Sequence, residues 1–293
     1  MSQAAAPQTS GIVPGEYLLT EEDFRRIASI LHDHAGIQLS EAKAALVYAR
    51  LAKRLRALGL ESFRDYCTLV AGSSGLDERQ RMVAALTTNV TKFFREAHHF
   101  EHLKQKVLPG LLDRARRGEE VRIWSAGCSN GQEPYTIALV LLSVMPDVAR
   151  HDIRILATDI DPNMIAEGRA GEYPESALTD VPAEMRRRWL QRVSSTGETR
   201  FQVADEVQSL VAFRELNLFA KWPMKKRFDV IFCRNVVIYF DKTKQAELWT
   251  RFSAALKPGG HLYIGHSERV SGPSADHFVA DGVTTWRQTR GGV

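Results

Sequence analysis

The chain has only three cysteines in 293 residues, Cys67, Cys128 and Cys233, and none belongs to a CxxC pair. That excludes a disulfide framework and a cysteine-based zinc site, and it fits a reducing cytoplasm. Long apolar runs are also lacking. The longest, from Ile137 to Met145, is about half the length needed to cross a bilayer, and Ser143 interrupts it. The opening MSQAAAPQTSGIVPGE has no basic start followed by an apolar stretch, so it does not read as a secretory signal. Net charge is only +4, too mild to argue for nucleic acid on its own. There is no internal repeat and no low-complexity block. What is present, 44% hydrophobic and 25% charged residues, is the balance of a soluble globular protein and excludes a disordered chain or a fibre. The length suits one large domain with a small companion.

Residues 1–16 are small, polar and proline-bearing and read as a flexible tail. From Leu19 the pattern turns helical. Thr20 caps a helix whose first turn holds Glu21, Glu22 and Asp23, at the positive end of the helix dipole. A second helix runs from about Ser40 to Leu58 and stops at Gly59. Ala44, Val47, Tyr48, Leu51, Leu55 and Leu58 form its apolar stripe. Lys43, Arg50, Lys53 and Arg54 form an adjacent basic face, spanning about 100° at 3.6 residues per turn. Further helices are expected near 62–71 and 75–86, so 17–86 reads as a small helical domain. A linker and connecting helix follow over 87–118.

From Val121 the rhythm changes. VRIWSAG (121–127), DIRILATDI (152–160), LVAFREL (210–216), FDVIFCRN (228–235) and GGHLYIGH (259–266) are strand candidates with helical segments between several of them. This alternation predicts an α/β fold with a parallel sheet covered on both faces over 119–293. The stretch 171–209 breaks the alternation as an inserted subdomain, and 277–288 reads as a closing hairpin.

The chemistry gathers at strand ends. The first strand runs into GCSNGQEP (127–134), where Gly127 and Gly131 let backbone approach a ligand closely. The second ends in ATDID, and Asp159 lies 28 residues after Gly131. A carboxylate at that tip is the usual acceptor for ribose hydroxyls, with Asp161 as the cap of the next helix. Together they point to a nucleoside-containing cofactor. The same first turn matches G-x-S-x-G, a serine-hydrolase elbow with Ser129 as nucleophile and Asp229 or Asp241 and His261 or His266 as partners. That reading leaves Asp159 without a role. Arg234 and Asn235 stand at the exit of an otherwise apolar strand, and Tyr239 lies on the loop beside them. In TTNVTKFFRE (87–96), Phe93 and Phe94 can pack over something flat, and Arg95 is a fixed cation suited to a carboxylate. The run AHHFEH (97–102) lacks a carboxylate at metal-ligand spacing, so no metal is expected.

TTNVTKFFRE, WSAGCSNGQEPYTIA, ATDID, FRELNL, IFCRNVVIYF and GHSE occur in the order seen in CheR-type chemotaxis receptor methyltransferases, and the resemblance covers about residues 19–288. It implies an N-terminal helical domain and a Rossmann-like, class I S-adenosylmethionine-dependent methyltransferase domain with a small inserted β subdomain. It implies methylation of glutamate side chains on cytoplasmic chemoreceptor helices, with S-adenosylhomocysteine as product. By motif, Asn89, Thr91, Arg95, Gly127, Glu133, Asp159, Asn217, Leu218, Arg234 and Asn235 would form the cofactor site. Arg95 and Tyr239 would face the methyl group and the incoming carboxylate. Arg50, Lys53 and Arg54 match the face that family members lay against receptor helices. A cytoplasmic monomer is expected, with no nucleic acid partner and no membrane insertion. The family often has GEEP where this chain has GQEP, which leaves Glu133 in place. A scaffold that binds cofactor without turnover is the other class to weigh.

Overall fold

A computed structural model describes residues 11–193 and 197–289, so the first part of the expected tail, three residues of the expected insertion and the last four residues lie outside it. The chain divides into two compact units, Met1–Thr88 and Asn89–Val293.

The first unit is helical. Helix α1 (Glu21–Ala35) begins at Thr20, whose hydroxyl oxygen accepts from the Asp23 N–H while the Asp23 carboxylate takes the Thr20 N–H, a reciprocal cap. It is followed by α2 (Ala44–Leu58), α3 (Phe63–Ala71) and α4 (Leu76–Leu86). Val47, Leu51 and Leu55 of α2 are fully buried, whereas Leu58 at its end remains exposed. The stretch before α1 is tied down from Ile12 onward: Val13 pairs with Leu19, and the Tyr17 N–H donates to the Tyr48 hydroxyl at 3.0 Å.

The basic face of α2 differs from the sequence expectation. Arg54 reaches Glu78 in a two-pronged pair, Nε to Oε1 at 2.9 Å and Nη2 to Oε2 at 2.7 Å, and the Tyr66 hydroxyl donates to the same carboxylate at 3.0 Å. Arg50 Nη1 donates to the carbonyls of Ala85 and Thr87, capping the end of α4. A helix end leaves carbonyls without partners, and a buried carboxylate needs a cation, so both guanidiniums are drawn inward. Of the three expected cations, only Lys53 is exposed.

The second unit begins with α5 (His98–His102), a π turn (Leu103–Val107) and α6 (Leu108–Arg116). These pack on the sheet, with Phe93, Phe100, Leu103, Leu108 and Leu112 buried in its core. Then come β1 (Val121–Ala126), α7 (Gln132–Val144), β2 (Ile153–Asp159) and α8 (Pro162–Ala170). The inserted subdomain holds β3 (Glu172–Pro174), α9 (Ala183–Trp189), β4 (Leu190–Val193) and β5 (Arg200–Val203), whose strands form an antiparallel sheet in the order β3-β5-β4. The chain continues through α10 (Asp205–Gln208), β6 (Val211–Glu215), β7 (Phe228–Cys233), α11 (Lys242–Ala255), β8 (Leu256–Ile264), β9 (Phe278–Gly282) and β10 (Thr285–Gln288).

The main sheet has the order β6-β2-β1-β7-β8-β10-β9, with β6, β2, β1, β7 and β8 parallel and β9 and β10 forming the antiparallel closing hairpin. Helices cover both faces of these strands because the central ones are buried on both: every residue of β7 is buried, and all but Asp229 are apolar. On the outermost strand, β6, the Phe213 carbonyl accepts from Arg169 at 2.9 Å and from Arg214 at 2.7 Å.

Replacing Arg54 with alanine leaves Glu78, which is 6% exposed, without its cation. The helical unit should lose about 3 kcal/mol, the range for breaking a paired buried charge. Thermal melts should show a clear fall in its transition, and Arg54→Lys, which keeps the charge but not the fork, should recover only part.

Candidate active site

Parallel sheets bind ligands where the strand order reverses, outside the carboxyl ends. Here the chain moves outward from β1 to β2 and β6, then returns to place β7 on the other side of β1. The crevice between the ends of β1 and β7 is therefore the place to look, and the sequence motifs converge there.

The turn after β1 carries Gly127 at φ 78° and Ser129 at φ 50°. A Cβ on Gly127 would stand 2.4 Å from Val236 Cγ2, so only glycine lets the two loops meet. The subdomain supports the turn from behind, since the Tyr173 hydroxyl donates to the Asn130 carbonyl at 2.6 Å. Asp159, at the tip of β2, accepts from the Ser129 N–H at 2.7 Å and the Asp161 N–H at 3.0 Å. Burial raises its carboxyl above the ordinary range, opposed by these two N–H groups. Asp161 caps α8 through the Asn163 N–H at 2.9 Å and takes the Asn89 amide at 2.9 Å.

Residues 89–97 form a tightly bonded loop. Ser129 Oγ donates to the Asn89 carbonyl at 2.9 Å, the Phe93 N–H donates to Gln132 Oε1 at 3.0 Å, and the Phe94 N–H donates to Thr136 Oγ1 at 3.2 Å. Phe93 is fully buried edge-on against Tyr173, so it is a core anchor and is not available to stack on a ligand. Thr91 and Arg95 are half-buried, and Arg95 Nη1 donates to the Val90 carbonyl at 2.8 Å.

Arg234, at the exit of β7, is 6% exposed and lies between two carboxylates, with Nη1 3.2 Å from Glu133 Oε2 and Nη2 3.2 Å from Glu96 Oε2. It also donates to the Arg95 carbonyl, and Ser125 Oγ donates to the other Glu133 oxygen at 2.7 Å. Burial pulls the Glu133 carboxyl upward in spite of Arg234. Burial acts the same way on Glu96, but the His266 hydrogen bond at 2.9 Å and the Arg234 charge overcome it and bring that carboxyl down to about 2. His99 is fully buried, and burial lowers it to about 3, so its imidazole is neutral. Asn235 follows Arg234 at φ 58°, and Tyr239 closes the short helical turn Val237–Tyr239. Beyond β6, Asn217 Oδ1 accepts from the Phe219 N–H at 2.9 Å, and Leu218 is buried.

The hydrolase arrangement is absent. Ser129 Oγ bonds the Asn89 carbonyl. Asp229 is at the opposite end of the parallel strands, held by Arg114 at 2.6 Å and Lys257 at 2.8 Å. His261 pairs with Asp281 and His266 with Glu96. Among the described residues there is no cluster suited to a metal ion.

The polar groups at this edge fit a nucleoside cofactor. Arg234 Nε and Asn235 Oδ1 are buried without a hydrogen-bond partner, which calls for a polar ligand or water beside them. Asp159 retains acceptor capacity beyond its two bonds.

Comparison with known proteins agrees. Residues 89–285 match the family model for the CheR methyltransferase SAM-binding domain, and residues 22–87 match that for the CheR methyltransferase all-alpha domain. The chain belongs to the CheR methyltransferase family. It is 57% identical over 264 residues to a probable chemotaxis protein methyltransferase of Rhizobium etli, covering 90% of this chain and 98% of the relative. It is 41% identical over 255 residues to the chemotaxis protein methyltransferase of Escherichia coli, covering 86% of each. The protein is thus an S-adenosylmethionine-dependent methyltransferase, and its sheet unit is the cofactor domain.

Three residues of this CheR site escaped the sequence reading. Gln132 and Glu96 act on backbone or on Arg234, and nothing in their spacing foretells it. Glu268, in the GHSE motif, is buried and accepts four backbone N–H groups from two loops.

As the candidate ribose acceptor, Asp159 is tested with Asp159→Asn, which keeps one of the two oxygens that hold the turn, together with a thermal melt showing that the fold survives. S-adenosylhomocysteine binding by calorimetry should weaken by about 1.5–3 kcal/mol, the range for bonds to a charged group. Unchanged affinity would remove Asp159 from the cofactor site.

Proposed function

We propose that the enzyme methylates ionised glutamate side chains on the cytoplasmic helices of chemoreceptors, producing γ-glutamyl methyl esters and S-adenosylhomocysteine in the cytoplasm. The observation that carries this reading is the state of the site's own carboxylates. Glu96, Glu133, Asp161 and Glu268 are each already committed to hydrogen-bond donors, and the remaining capacity of Asp159 is assigned to the ribose. His99 is neutral and buried, and His266 is bonded to Glu96. A hydroxyl or ammonium acceptor would need a base to take its proton. A glutamate side chain is ionised at neutral pH and needs none.

The cofactor, when bound, supplies a methyl group on a positively charged sulfur. Asn89, Thr91, Gly127, Glu133, Asp159, Asn217, Leu218, Arg234 and Asn235 are the residues we assign to holding it. Arg95 orients the acceptor carboxylate, and Tyr239 aligns it from the facing loop. Arg95 does this without a tight grip, because binding the ground state alone does not raise the rate. Transfer joins a cation and an anion into neutral products, so alignment and exclusion of water carry the catalysis.

Receptor fragments incubated with tritiated S-adenosylmethionine should gain label that alkali releases as volatile methanol, the mark of an ester. Alkali-stable label would overturn the glutamate reading. Arg95→Ala should lower kcat on the order of 100-fold and Tyr239→Phe on the order of tenfold, with both proteins folded.

Among the three cations assigned to receptor docking, Arg50 and Arg54 also hold the helical unit together. Lys53 is the clean probe. Lys53→Glu should raise KM for receptor and leave S-adenosylhomocysteine affinity alone. The wild-type reaction should slow as salt rises from about 0.05 to 0.5 M, where screening shortens to a few ångströms. A salt-independent rate would assign docking to another surface.

A further inference from the structure

We propose that Glu268 is a positioning residue for methyl transfer, acting through the loop that carries Asn235 and Tyr239. This rests on the methyltransferase assignment. Only the kinetic arm of its test uses the receptor substrate.

Glu268 is 4% exposed, and the donors that meet it are backbone N–H groups with no cation among them. Its four hydrogen bonds all come from backbone. Oε1 accepts from Val236 at 2.8 Å and Val237 at 2.9 Å, and Oε2 from Asn235 at 3.1 Å and Gly265 at 2.6 Å. Gly265 leaves β8, and the other three residues leave β7, so one carboxylate joins the carboxyl ends of two neighbouring parallel strands.

The joint has no slack. A Cβ on Gly265 would come within 2.6 Å of Asn235 Nδ2 and 2.7 Å of the Asn235 backbone nitrogen. Asn235 is held at φ 58°, where a residue with a side chain is strained. The next residue, Val236, presses on Gly127 of the turn after β1. The Tyr239 N–H donates to the Val236 carbonyl at 3.3 Å, so the placement of Tyr239 follows from the same turn. Three strand exits are thereby set relative to one another by one side chain. A buried carboxylate with no cation is a costly way to build a turn, and stability alone does not call for it. The arrangement fixes where Asn235 and Tyr239 stand.

Glu268→Gln keeps the shape but turns an NH2 group toward N–H donors, so the four bonds cannot all survive. Amide exchange over residues 233–239 should quicken at least tenfold, with β1 and β2 unchanged. The kcat for receptor methylation should fall at least tenfold, S-adenosylhomocysteine affinity should weaken by a clearly smaller factor because Asn235 is one of several cofactor contacts, and Glu268→Asp should recover part of the rate. Unaltered exchange would overturn the proposal, as would a wild-type kcat. A parallel fall in kcat, cofactor affinity and melting temperature would also overturn it, because it would mark a purely structural role. If the wild-type enzyme methylates no receptor fragment, the substrate reading fails, and the exchange result alone decides the role of Glu268.

Discussion

The site depends on one buried guanidinium. Arg234 stands at the end of β7 with Glu133 of α7 on one side and Glu96 of the preceding loop on the other, and it stacks 5.4 Å over the Phe100 ring. A buried charge is stable only when its donors are satisfied. Arg234 meets most of that need, all but its Nε, by drawing three separate chain segments to one point. The result is a trio of one guanidinium and two carboxyl groups, and His266 adds a further donor at its open side. The trio ties the loop before α5, the start of α7 and the exit of β7 together.

Backbone strain follows the same map. Of the five described non-glycine residues in left-handed backbone, Phe94, Glu96, Ser129 and Asn235 lie at the crevice and Thr284 turns the closing hairpin. Each of the four is hydrogen-bonded to a neighbouring element. Strain held this way marks a pre-set geometry: the loops are shaped before any ligand arrives. That suits a methyl transfer in which the enzyme aligns cofactor and acceptor.

The fold was legible because its signals are local. The apolar runs of β1, β2, β6 and β7, the caps at Thr20, Asp161 and Asp241, and the closing hairpin are all written in adjacent residues. The positions of Asp159 and Arg234 at strand exits were legible for the same reason. What could not be read depends on pairing across the chain. Arg54 and Glu78 are 24 residues apart, Glu268 meets Asn235 across 33, and Phe93 meets Gln132 across 39. A helical wheel shows which side Arg50 and Arg54 occupy, but not that a helix end and a buried carboxylate wait on that side. Phe93 likewise reads as a free aromatic until the fold supplies Tyr173 beside it.

The two guanidiniums on the Phe213 carbonyl have a consequence for how molecules meet. An outermost strand is a template on which another chain's strand can grow, and the template works only if its carbonyls are open. On β6, Arg169 and Arg214 occupy that oxygen. A strand from a second copy would have to displace two charged donors before it could form its own bond there. At high concentration, this edge of the sheet is therefore protected against cross-molecule strand growth by chemistry that the crevice at the strand ends does not use.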